Sequence, residues 1–354
     1  MMKIRHTALI VAILAIFTTF TARADDDDDD DDDKKEEKTE KVDYRPTING
    51  TVRAKYEYQP QISSGRFQVR NARVSITGQV HRTVSYKAEI DFSDKGRMRM
   101  LDAFARWKPI DGGAFTIGQM RVPFTIDAHR SPHQQYFANR SFIAKQVGDV
   151  RDVGATIGYS FDPLFPITLE AGIFNGSGLT DQMDFWTSQI NFSAKAQFRF
   201  TDEVNFVLSV QKISPENINI YMYDAGVTWT WNNWTAEAEF LHKVYSDNSF
   251  QSVQAVDAFV NYDFMIRKKL LHKISALARF DYMGDHSDGT LNEQGKLYIT
   301  DYERKRITAG VTLSIAKPFR ADLRLNYEQY FYNEGAQVKV SEQNKIVAEV
   351  MVRF

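Results

Sequence analysis

Ile346-Val347-Ala348-Glu349-Val350-Met351-Val352-Arg353-Phe354 stands at the end of the sequence and reads as a strand with two unlike faces. Side chains alternate along a strand. Ile346, Ala348, Val350, Val352 and Phe354 therefore share one face, and Val347, Glu349, Met351 and Arg353 the other. A membrane barrel has a use for this pairing, because its closing strand turns an apolar face to lipid and a mixed face to water. One strand decides little alone, but the rest of the chain repeats it.

Working back from that strand, period-two segments separated by turn signals run from Thr47 onward. In the first, Ile48, Gly50, Val52, Ala54, Tyr56 and Tyr58 alternate with Thr51, Arg53, Lys55 and Glu57. In another, Ile190, Phe192, Ala194, Ala196, Phe198 and Phe200 alternate with Lys195, Gln197 and Arg199. The predicted spans are 47–58, 66–80, 83–94, 99–108, 114–121, 152–161, 166–174, 188–200, 203–212, 220–231, 234–244, 252–264, 271–283, 304–316, 319–331 and 344–354. They number sixteen, and single-chain bacterial barrels have even numbers of strands. Short connections such as His81-Arg82 and Asn232-Asn233 alternate with long ones at 122–151, 175–187 and 284–303. That is the pattern of periplasmic turns and outer loops. The expectation is an all-β, transmembrane antiparallel β-barrel of about sixteen strands over 47–354. Aromatics near strand ends, among them Trp229, Trp231 and Trp234, fit interfacial girdles.

The first 24 residues carry a basic start (Lys3, Arg5), an apolar run from Ala8 to Phe20 and Ala22-Arg23-Ala24. This predicts a cleaved signal peptide over 1–24. The run is short of the roughly 20 residues that a spanning helix needs, and no later stretch approaches that length. The chain contains no cysteine, which excludes disulfides and thiolate metal sites and suits export to a Gram-negative outer membrane. Asp25 to Asp33 and the charged stretch to Lys41 have nothing to pack, so 25–46 is expected to be an acidic disordered segment. It reads as a solvated tail or a weak divalent-cation or cell-wall tether. With it and the leader set aside, 34 acids and 37 bases remain in 42–354. The barrel is thus net positive, although the whole chain is −2.

Two strands change phase. Phe67 and Val69 give way to Ala72, Val74 and Ile76, which places a β-bulge near Asn71 and turns Arg70 and Arg73 inward. Phe115 and Ile117 give way to Met120, which suggests a second bulge near Gly118 that turns Arg121 inward. A sixteen-stranded barrel leaves an aqueous channel, so the inward positions set selectivity. Arg53, Lys55, Arg70, Arg73, Lys87, Arg106 and Arg121 make the early strands rich in inward positive charge. Arginine forks match phosphate and carboxylate geometry. The same residues can instead pair with inward acids such as Glu89, Asp91, Asp102 and Glu349 and stiffen the wall. The loop 122–151 is long and carries His129, Arg130, His133, Arg140 and Lys145. It can fold into the lumen and narrow it, or lie over the outer surface. No partnered Ser/His site, phosphate-cradling Gly loop or completed metal set accompanies these residues, and His129 and His133 read as solvated loop residues. The sequence points away from an enzyme, and neither cofactor nor nucleic acid is expected.

Four stretches occur in order: Phe115-Thr116-Ile117-Gly118-Gln119-Met120-Arg121-Val122-Pro123-Phe124, Asn139-Arg140-Ser141, Gly148-Asp149-Val150-Arg151-Asp152-Val153-Gly154 and Ala171-Gly172-Ile173-Phe174-Asn175-Gly176. They resemble the phosphate-selective porin O and P family, best over 48–200. The final strand also resembles the assembly signal of outer-membrane barrels. The family resemblance implies a homotrimeric outer-membrane channel for small hydrophilic solutes, with a third loop folded inward and Arg/Lys side chains guiding anions such as phosphate. It places Arg121 before the constriction loop and Arg140 within it. The many inward acids depart from an unbroken arginine ladder. A plugged structural or adhesive barrel, whose outer loops bind a partner, is the alternative.

Overall fold

The computed structural model describes residues 43–354 apart from 95, 146–150, 180–181, 216–217, 267, 269 and 317–319. The expected signal peptide and all but the last four residues of the expected acidic segment lie outside the described residues. The chain forms β1 (Thr47–Gln59), β2 (Ser64–His81), β3 (Val84–Asp94), β4 (Arg97–Trp107), β5 (Gly113–Arg121), β6 (Arg151–Phe161), β7 (Ile167–Phe174) and β8 (Asn191–Arg199). It continues with β9 (Val204–Ile213), β10 (Ile220–Trp231), β11 (Trp234–Tyr245), β12 (Val253–Met265), β13 (Lys273–Met283), β14 (Arg304–Ile315), β15 (Arg320–Tyr332) and β16 (Lys345–Arg353). Every strand pairs antiparallel with its sequence neighbours, and β16 pairs with β1 to close the barrel. The expected fold is the observed one.

The alternation read from the sequence is the alternation of burial. On β1, Arg53, Lys55 and Glu57 are buried, whereas Ile48, Val52 and Tyr56 are exposed. This inversion of a soluble protein follows from the solvent: lipid outside, water and polar groups inside. The closing joint is specific. Gly50 N–H donates to Phe354 O at 2.8 Å, and Phe354 N–H donates to Gly50 O at 3.1 Å. A Cβ on Gly50 would lie 2.1 Å from the Phe354 ring, so the last side chain lies flat over the glycine. At the short-turn end, Trp234 and Phe264 both touch Tyr262, with centroids 4.6 Å away in each case. Trp229 and Trp231 stack at 6.2 Å. These rings, exposed except for the half-buried Tyr262, form part of a girdle.

The β1–β2 register shifts so that Arg70 is the extra residue, which places the first expected bulge correctly. The second is absent. Register runs unbroken through Gly118 against both β4 and β6. Gly118 adopts φ +131°, and a side chain there would meet Ala103 O at 2.3 Å. The glycine rotates the chain without inserting a residue, and Arg121 still reaches inward. An irregularity not read from the sequence lies on β4, where Leu101 is skipped between β3 partners and is buried.

Replacing Phe354 with Asp should cut the yield of folded barrel several-fold, and Gly50→Leu should do the same by displacing the ring. Heat-modifiable mobility of outer-membrane fractions on gels measures both. Wild-type yields would show that the joint does not depend on this contact.

Candidate functional site

The described part of the loop between β5 and β6, residues 122–145, lies inside the barrel. Its first turns are 3-10 helical, at Asp127–His129 and Pro132–Gln134. Its backbone is gripped by inward side chains from many strands. Ser193 Oγ donates to Pro123 O at 2.7 Å, and Lys195 Nζ to Thr125 O at 2.6 Å. Ser209 Oγ accepts from Thr125 N–H at 3.1 Å, and Glu239 accepts from Ile126 N–H. Thr125 holds φ +62° and is fully buried, a costly conformation for a β-branched residue that the surrounding bonds must hold in place. Farther along, Arg53 donates to Gln135 Oε1 at 2.5 Å and to Ala138 O at 2.6 Å. Lys55 Nζ donates to Asn139 Oδ1 at 3.0 Å. On the other side of the closing joint, Asn326 accepts from Ala138 N–H at 2.8 Å and Glu328 from Asn139 at 2.7 Å.

An apolar seat completes the attachment. Phe124, Phe142 and Ile143 of the loop pack with Ile220, Met222, Leu241, Val253, Ala255 and Met283, all on inward phases of β10–β13. Arginines stack on the loop's rings: Arg279 over Phe137 at 4.4 Å, and Arg306 over Phe142 at 4.6 Å.

The loop lies between two aqueous vestibules. The one at the long-loop end has about 1000 Å³, and its described lining carries twelve arginines and lysines against only Glu57 and Asp94. The one at the short-turn end has about 700 Å³, with Arg130, Lys195, Lys273, Arg320 and Arg324 against Asp263 and Asp322. Between the loop and β12–β13 runs a gap of about 10 Å³, bordered by Asp127, Arg130, Phe259 and Arg279. That is close to the room one water needs.

The nine basic residues singled out from the sequence are distributed unevenly. Arg53, Lys55, Arg70, Arg73 and Arg140 line the outer vestibule, and Arg130 lines the inner one. Lys87, Arg106 and Arg121 line neither. Most have acidic partners. Arg53 meets Glu349 at 2.6 Å, Lys55 meets Glu57 at 2.7 Å and Arg70 meets Asp94 at 2.9 Å. Arg73 meets Asp91 at 3.0 Å, Lys87 meets Asp102 at 2.6 Å, and Arg130 pairs with Glu237. Arg106 donates to Thr116 Oγ1 at 3.0 Å. Arg121 donates to Ala128 O at 2.7 Å, and Arg140 to Arg130 O at 2.8 Å and to Asp127 O. These last two fasten the loop's own backbone. Arg66, Arg97, Arg99, Arg151, Arg306 and Lys345 also line the outer vestibule and were not singled out. Arg306 was findable, since it lies on the phase opposite the outward Ile307 and Val311.

Asp127 is the hub of the loop. Its carboxylate accepts from Ser141 N–H and Oγ at 3.1 and 3.2 Å. Burial works to raise its pKa, but Arg140, Arg130 and Arg279 outweigh it and hold the carboxyl at about 2. The two histidines depart from the solvated reading. His129 Nε2 lies 2.8 Å from Val122 O, and burial, Lys195 and Arg121 hold its pKa well below the usual value. His133 is pushed down to about 4 by burial and by Arg353 and Arg320. Both rings are neutral at pH 7.

Residues 47–242 match the family described as Phosphate-selective porin O and P. The chain belongs to this porin family. No curated protein matches it at a significant level. The anion-selective porin from Comamonas acidovorans is a structural relative of this porin at TM-score 0.61 and 10% identity, over 88% of this chain and 99% of that one. The outer membrane channel DcaP of Acinetobacter baumannii aligns at 0.60 and 13% identity, over 87% and 97%. OmpT of Vibrio cholerae, in its trimer form, aligns at 0.56 and 10% identity, over 88% and 98%. At these identities the likeness concerns the porin fold.

Asp127 is ionised in the folded porin to a lower pH than a free Asp, whose pKa is about 3.9. Its stabilisation is therefore fully present above about pH 4 and is lost as pH falls through about 2. Asp127→Asn should lower the melting temperature in detergent by several degrees at pH 7, and the difference should shrink between pH 4 and pH 2. Circular dichroism melts across that range check it. Parallel curves would show that the loop does not depend on this charge.

Proposed function

We propose that this outer-membrane channel admits small hydrophilic solutes by passive diffusion, with a modest preference for anions such as phosphate, and that it works as a homotrimer. One observation carries the anion preference: the described lining of the outer vestibule holds twelve bases and two acids. Fixed charge in a narrow, low-dielectric passage attracts counter-ions and raises their local concentration. The preference is modest because acids on the lining or behind it pair with most of these bases, as Glu349 does with Arg53 and Asp102 does with Arg151 at 2.8 Å. The family's name and the anion-selective relative support the same reading. The trimer form of the Vibrio relative supports the assembly.

The gap of about 10 Å³ beside the loop favours a second reading, a plugged barrel acting through its outer loops. Planar-bilayer recording separates the two. Steady open steps are the expected result, and a correctly inserted but silent protein would overturn the channel reading.

Neutralising Arg66, Arg70 and Arg97 together by Gln should shift the reversal potential toward cations several-fold in permeability ratio at low salt. These three lie on the vestibule's lining rather than in the loop's attachment. The screening length falls from about 10 Å at 0.1 M to about 3 Å at 1 M, so the shift should fade at high salt. Unchanged selectivity at 0.1 M would remove the vestibule from the mechanism. By contrast, Arg140→Gln should lower the melting temperature, because that side chain holds two loop carbonyls.

A further inference from the structure

We propose that the lipid-facing wall between β7 and β11 carries a binding site for one anionic lipid of the outer leaflet, with an acyl chain in a trough of small side chains and the headgroup on Lys212. The registers of β7 through β11 set out the wall in rows. One row reads Ala171, Ala194, Val210, Tyr223 and His242 across five strands. The next row toward the periplasm reads Leu169, Ala196, Leu208, Ala225 and Phe240. Four alanines thus sit together on the outward face, bounded by larger side chains such as Tyr223 and Phe240. The result is a depression of about 840 Å³, within the range of about 300–1,000 Å³ typical of small-molecule sites. A wall that only has to face fluid lipid needs no depression.

The row above supplies the charge. Lys212 points outward between Phe192 and Tyr221, one residue before the end of β9. A lysine on the lipid face is costly at mid-membrane and nearly free at the interface, so this position corresponds to headgroup depth. Its ammonium donates to Ile190 O at 3.0 Å, and among the described residues it makes no carboxylate pair. An ammonium so placed at the top of an apolar trough fits a phosphate-bearing lipid. A second depression, of about 760 Å³ on β11–β15, is lined by Ala276, Ala278, Ala309 and Gly310 but has no Lys, Arg or His. It provides a control in the same molecule.

Native mass spectrometry of delipidated full-length protein tests this, with dimyristoyl phosphatidylglycerol and the matching phosphatidylcholine as probes. The wild type should retain one phosphatidylglycerol in preference to phosphatidylcholine by about fivefold, the scale of one lysine near an anionic headgroup. Lys212→Gln should bring that ratio close to one. Ala196→Phe, which fills the trough, should remove the retained lipid, and Ala278→Phe in the control depression should leave the preference intact. Ala196→Leu repeats the trough test should the larger ring impair folding. An undiminished preference in Lys212→Gln, or undiminished retention in both Ala196 variants, overturns the proposal. So does a wild type that retains no lipid while Ala196→Phe converts an oligomer to monomers, which would mark the trough as a contact between copies.

Discussion

Hydrocarbon offers no hydrogen bonds, so a sheet in a bilayer must satisfy every backbone amide and carbonyl within itself. An open sheet leaves two edges unpaired; a closed one leaves none. The β1–β16 ladder and the Gly50–Phe354 exchange are where this chain meets that demand. Most other features follow. Closure fixes sixteen strands around a space that side chains alone do not fill, alternation then gives one face to lipid and the other to that space, and the space requires something to shape it.

The β5–β6 loop does the shaping, and the lumen's charge pattern follows from its position. Against β9–β13 the loop covers a seat of Met222, Leu241, Ala255 and Met283. It also covers the carboxylates Glu237, Glu239 and Asp257, all almost fully buried. These carboxylates are withdrawn from water: Glu239 accepts a loop amide, Glu237 pairs with Arg130, and Asp257 lies 3.7 Å from Arg279. On the opposite side, strands β2 and β4 leave Arg66, Arg70 and Arg97 at the water. A barrel with nearly balanced wall charge thus presents mostly its bases to solute. Buried ion pairs of this sort define geometry more than they add stability, which suits a passage whose width depends on a loop staying in place.

Much of this was legible in the sequence. Period-two alternation gave the strands to within a few residues, and the phase break at Val69–Ala72 marked a true bulge. The long, basic loop pointed inward as one of two readings. What stayed hidden depended on partners rather than on phase. Alternation places Arg73 and Lys87 inward, but their proximity to Asp91 and Asp102 depends on the stagger between strands, which no single strand encodes. Arg121 and Arg140 belong to family-like motifs, yet they hold backbone carbonyls, and carbonyls leave no trace in a sequence. The apolar inward residues of β10–β13 were visible as exceptions to the polar lumen. Together they mark where something covers the wall, a signal that only reads as one when the strands stand side by side. Gly118 misled because a phase shift has two causes, an extra residue or a rotated one, and only the register tells them apart.

The joint between the first and last strands is the ladder whose two sides do not follow one another in the chain. The loop's residues 135–139 reach across it, bonded to Arg53 and Lys55 on β1 and to Asn326 and Glu328 on β15. Parting the wall there would break this inner strap along with the ladder. The segment that narrows the passage is thus also a rivet, fastened from within across the seam that closes the cylinder.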